Sequence, residues 1–186
     1  MIFFDNRTDF EIGGNILALL ESIAHSVTNR DIEFLLVSDD EICALNAEFL
    51  EKDYATDVLS FPLDSSEMPL RHCEASHRFA EAIHLDLSEF GGKSNVKSCE
   101  SSIESNAPNQ MPNLPLGSIV ISLEMAQRVA DSHNYSLQSE LAILFTHGLL
   151  HLLGYDHESD SGEHRVRERE ILARFGIETT LISRNS

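Results

Sequence analysis

The thirteen residues THGLLHLLGYDHE, Thr146 to Glu158, constrain this chain more than any other stretch. His147 and His151 are i and i+4, so on a helix both imidazoles leave the same face, one turn apart. Gly154 suits the left-handed conformation that ends a helix, after which the chain doubles back. The return brings His157 to the same point from outside the helix. Three neutral imidazoles around one point form a tripod for a tetrahedral ion, with the fourth position left to water. The pattern therefore predicts one catalytic-type zinc ion on His147, His151 and His157. Nickel or another transition metal satisfies the same donors.

A lone histidine on an apolar helix is ordinarily a core residue. Three at these intervals, with a glycine between the second and third, form a stricter pattern. The spacing is that of the metzincin zinc signature, but Gly148 stands where those peptidases carry their glutamate base. No methionine follows Met125 to supply their methionine turn. A zinc peptidase is thus the weaker of the hydrolase readings.

At 186 residues the chain has the size of one domain, and a 42% hydrophobic content is ample for a core. No segment approaches the roughly 20 apolar residues of a membrane span. The opening MIFFDNRTDF lacks the pattern of a secretory signal. Cys43, Cys73 and Cys99 are odd in number and widely spaced, as in a cytoplasmic protein with reduced thiols. Charge is the awkward feature: 13 basic against 31 acidic residues, a formal net of −18. Nucleic-acid binders normally present a basic surface.

Periodicity orders the rest. Met1 to Phe4 reads as a short edge strand. Asn15 to Val27 carries a helical apolar stripe, and Ile32 to Val37 is a β-rich run. Ser38 with Glu41 three residues on marks a helix start, burying Ile42, Leu45, Asn46 or Ala47, and Phe49. Thr56 to Phe61 is a strand stopped by Pro62. Ser and Asn then become frequent, and about 65–113 reads as a flexible insertion between strands, with a possible local helix over Leu70 to Leu87. Within it His72, Cys73, His77 and His84 match no strong metal template. Ser118 to Ile121 is a strand, Ser122 caps a helix to Ser132, and Ser136 or Ser139 opens the histidine helix. That helix has little polar surface, which predicts burial at the centre of the fold. Ser161 to Phe175 is a last helix closed by Gly176, with Glu163–Arg167 and Glu170–Arg174 at i,i+4 spacing.

HGLLHLLGYDH (His147 to His157), TDVLSFP (Thr56 to Pro62), LGSIVIS (Leu116 to Ser122) and the pair Leu45-Asn46, in this order, resemble the YbeY family of bacterial rRNA-maturation endoribonucleases. The resemblance implies a single α+β domain, a small mixed sheet packed against helices with a central metal-binding helix. It implies zinc on the three histidines and cleavage of single-stranded RNA in the 3′-end maturation of small-subunit rRNA. It also implies work on rRNA within ribosomal particles, beside ribosomal proteins or assembly factors, without DNA or membrane. Three departures stand out: Leu50 occupies the place of the family's usual arginine, Ser118 that of its usual aspartate, and the link between the two strand motifs is long.

A glycine at 148 moves proton transfer elsewhere. Asp156, beside the third ligand, is a candidate base; its plainer role is to fix a ligand imidazole's tautomer. Glu158 and the metal-bound water are the others. Lys52 is the nearest cation to Leu50 and a candidate phosphate contact, although it lacks arginine's bidentate fork. Thr56 and Asp57 lie at the cleft or simply cap a strand. The rival to catalysis is an assembly factor in which zinc serves only the fold.

Overall fold

In a computed structural model of the chain, the described residues are 1–63, 79, 115–156, 160–178 and 181. Their order is β1 (Ile2–Asn6), α1 (Gly14–His25), β2 (Ile32–Val37), α2 (Asp39–Leu50), β3 (Val58–Pro62), β4 (Gly117–Ser122), α3 (Leu123–His133), α4 (Leu137–Leu152) and α5 (Glu163–Arg174). The sheet runs β1-β2-β4-β3, with β1, β2 and β4 parallel and β3 antiparallel to β4. The expected α+β fold with a small mixed sheet is what forms.

Local chemistry starts the helices where the sequence predicts. Ser38, Ser122 and Ser136 each accept a bond from the backbone N–H three residues on, capping α2, α3 and α4. Pro62, expected to stop β3, is instead its last residue. Proline is tolerated there because β3 is an edge strand and needs no outward N–H bond. The last helix begins at Glu163, two residues later than predicted: Gly162 is its left-handed N-cap, and the Asp160 carboxylate just before it accepts from the N–H groups of Gly162 and His164. Arg167 pairs with Glu170 rather than Glu163, whose carboxylate accepts from the Ser161 N–H.

Strands β2 and β4 are buried along their whole length, as inner strands covered on both faces must be. One face joins Phe34, Leu36, Ile119 and Ile121 to α1, α3, α4 and α5. The other packs Leu35, Val37, Leu59, Phe61 and Val120 against Ile42 and Phe49 of α2. Phe79 enters this second layer from the predicted insertion, fully buried, stacked on Phe61 with ring centroids 4.0 Å apart and edge-on to Phe49 at 5.4 Å. The rest of 65–113, including His72, Cys73, His77 and His84, lies outside the described residues.

The parallel register sets Glu33 beside Ser118, and the Ser118 hydroxyl donates to the buried Glu33 carboxylate at 2.6 Å. Burial pushes the Glu33 carboxyl up, Asp5 adds to this, and Ser118 and Arg7 only partly oppose it. An acid whose folded pKa is raised costs nothing where it is protonated in both states. It costs stability once pH rises through that raised value. Glu33→Gln should therefore melt higher than wild type at pH 7, by an amount on the order of a few degrees. The gain should shrink toward pH 4, as thermal scans at the two pH values will show. An equal difference at both would mean the carboxylate is not the cause.

Candidate metal centre

Helix α4 is buried from Glu140 through Leu150, which is how an almost wholly apolar segment must sit. It packs on β3 and β4 through Gly148. A Cβ there would lie 2.9 Å from Ser60 Oγ, 3.0 Å from Ile119 Cγ2 and 3.4 Å from Val58 Cγ2. The missing side chain is thus a condition of helix–sheet contact, and no carboxylate fits at this position. The helix ends in a Schellman motif: Gly154 is left-handed at φ 89, its N–H donates to the His151 carbonyl, and Tyr155 N–H donates to that of Leu150. The doubling back expected of Gly154 is present.

His147 and His151 converge as the spacing requires. Their Nε2 atoms are 3.1 Å apart, and two nitrogens bound to one tetrahedral zinc are separated by about 3.3 Å. His147 is buried, while His151 is partly open and marks the accessible side. On the far side of the His147 ring, Nδ1 lies 3.3 Å from Oε1 of Glu168, a fully buried carboxylate on α5. That contact fixes the tautomer leaving Nε2 as the donor atom for an ion.

A third imidazole joins them. Fully buried His164, from the first turn of α5, offers a ring nitrogen so that one ligand atom from each of His147, His151 and His164 lies within 4.8 Å of the others. Neither His164 nor Glu168 stands out in the sequence reading. The signal that reveals them is the buried face of α5, His164, Glu168, Ile171 and Leu172: a helical stripe in which the two positions nearest the start are polar.

His157, the predicted third ligand, lies outside the described residues, as does Glu158. Asp156 is exposed in the loop after α4, and its carbonyl accepts from the Asp160 N–H. Lys52 is exposed just beyond α2, its N–H donating to the Asn46 carbonyl. Leu50, at the end of α2, packs against the layer of Phe49 and Phe61. Asp57 accepts from the N–H of Val58, the strand-cap role weighed for it.

Fold and cluster together define the class: an α+β domain whose buried central helix carries a histidine site able to hold a metal ion. A family model described as Endoribonuclease YbeY matches residues 6–176. Full-length relatives agree. The Endoribonuclease YbeY of Nautilia profundicola is 40% identical over 185 residues, covering 100% of this chain and 99% of that protein. That of a Sulfurovum species is 37% identical over 185 residues, covering 100% and 97%. That of Helicobacter pylori is 36% identical over 185 residues, covering 99% and 98%. The chain belongs to the endoribonuclease YbeY family, a family of hydrolases acting on RNA phosphodiester bonds. Its long link between β3 and β4 falls inside these end-to-end matches.

Proposed function

We propose that the chain is a zinc-dependent endoribonuclease cutting single-stranded RNA, acting in 3′-end maturation of small-subunit rRNA within ribosomal particles in the cytoplasm. Ribosomal proteins or assembly factors are its partners. The observation that carries the reading is the His147–His151 pair, with Nε2 atoms 3.1 Å apart on a buried helix of a YbeY-family chain. His157 is assigned as their companion ligand by the sequence motif.

When bound, zinc polarises a phosphoryl oxygen and makes its water acidic, with a pKa of about 7. The chain's residues supply the rest. Glu168 holds the His147 ring in its ligating tautomer, and partly open His151 leaves an approach for a flexible strand. Position 148 has no room for a base, so the proton falls to Asp156, exposed to solvent in the loop after α4, or to Glu158. Lys52 is assigned to phosphate as a point charge. The close contacts at Gly148 also weigh against a peptidase of metzincin type, which needs its glutamate there.

The net charge of −18 opposes RNA binding from solution. Cleavage of a small-subunit precursor inside immature particles should exceed cleavage of the same naked RNA by at least about tenfold at roughly 0.15 M salt, where long-range repulsion is only partly screened. Equal rates would remove the need for a presenting partner. Site-specific cleavage in neither setting would leave the assembly-factor reading.

A further inference from the structure

We infer that Arg165 and Arg169, on one flank of α5, form a docking stripe for the phosphates of the RNA strand whose cleavage is proposed above. The inference rests on that RNA reading and names a surface that the histidine motif does not contain.

The starting point is where the chain keeps its positive charge. It has 13 basic residues, and four of them, Arg165, Arg167, Arg169 and Arg174, fall on the 12 residues of α5. Helical geometry sorts them around the buried face of His164, Glu168, Ile171 and Leu172. Arg165 and Arg169 are i and i+4 and leave one side of that face; Glu163, Arg167, Glu170 and Arg174 leave the other. Arg167 pairs there with Glu170 at 3.1 Å, and no exposed acid of α5 shares the flank of Arg165 and Arg169. Both of these arginines are exposed, and neither side chain makes an ion pair or hydrogen bond among the described residues. Like charges at i,i+4 weaken a helix slightly, and an acid at either position would relieve that. In a chain with 31 acidic residues, two neighbouring arginines left without a carboxylate suit an anion supplied from outside.

Position and chemistry choose the anion. Arg165 directly follows His164, whose ring centroid lies 4.6 Å from that of His147, so the stripe starts beside the metal cluster. The i,i+4 step separates the two stems by about 6 Å, close to the step between neighbouring phosphates of a single strand. Guanidinium groups grip phosphate through two parallel N–H bonds. A strand lying at His147 and His151 can lay its neighbouring phosphates along this flank. Salt screens charges more than about 10 Å away at roughly 0.1 M. Once a particle delivers the strand, these two arginines therefore outweigh the distant acids behind the net charge of −18.

The test compares the zinc-loaded full chain with Arg165→Gln/Arg169→Gln and with Arg167→Gln/Arg174→Gln, which removes the same two charges from the opposite flank. Glutamine keeps the helix propensity, and circular dichroism checks the fold. Binding of a fluorescent oligouridylate is followed from about 0.05 to about 0.2 M salt, beside cleavage of the precursor within immature particles. Loss of two phosphate contacts should weaken binding at least about tenfold at the lower salt. It should also flatten the slope of log affinity against log salt by about 1.4. In particles KM should rise with kcat little changed, while the opposite-flank variant stays near wild type in slope and KM. Equal effects in the two variants, or none in either, overturn the inference and leave the RNA reading intact. A raised particle KM with unchanged oligouridylate binding also overturns it, assigning the stripe to a protein of the particle. A wild-type chain that neither binds RNA nor cleaves it in particles overturns both.

Discussion

Gly148→Glu is expected to cost at least about 3 kcal/mol of stability and to confer no peptidase activity. The position is the one at which a metzincin carries its base, and the change restores that signature in sequence. In the fold it drives a side chain into Ser60 Oγ at 2.9 Å and Ile119 Cγ2 at 3.0 Å, on the line where α4 meets the sheet. Overpacking of a dense core costs about 1–3 kcal/mol, and a carboxylate placed there adds a desolvation cost. Gly148→Ala is the control. It gains about 1 kcal/mol of helix propensity and loses a comparable amount to those same contacts, so its net change should be small. Urea unfolding of the three proteins measures the series. A glutamate variant as stable as wild type would mean that α4 does not seat on β3 and β4 through this glycine.

The second large effect is on chemistry. His147→Ala removes the ring that both faces the candidate ion and is held from behind, and RNA cleavage should fall by more than about 100-fold, beyond what an outer partner is worth. Glu168→Gln should fall within that outer range, about 10–100-fold in zinc affinity, because the amide still reaches Nδ1 but carries no charge. Zinc content, circular dichroism and cleavage on the same samples separate the causes. A folded His147→Ala protein that cleaves as wild type does would mean that the products come from another nuclease or that the histidine site is not catalytic. A Glu168→Gln protein equal to wild type in zinc affinity would reduce the 3.3 Å contact to packing.

What the sequence made readable depends on how local each relation is. The convergence of His147 and His151 follows from helix geometry alone. The serine caps at 38, 122 and 136 and the reversal at Gly154 act within a few residues, and they appear where they were expected. His164 and Glu168 are different, since their role exists only because α5 packs on α4, a relation no short window contains. Ser118 likewise looked like a solitary departure from its family until the parallel register set Glu33 beside it. Pro62 was read as a stop because its edge position depends on strand order. The ion pairs of α5 are less legible because helical spacing allows several partners, and Arg167 meets Glu170 at i+3.

Among the described residues, the sheet separates two hydrophobic clusters. On one face lie the histidine helix and its supports; on the other lie Phe49, Phe61 and Phe79. The chain contains no tryptophan. An indole exchanged for Phe79 would therefore be the lone tryptophan, excited at longer wavelength than the three tyrosines, and able to time the loosening of that layer while the ion is added or stripped in front. Whether the two faces melt together or in sequence then becomes a kinetic question with a clean optical readout.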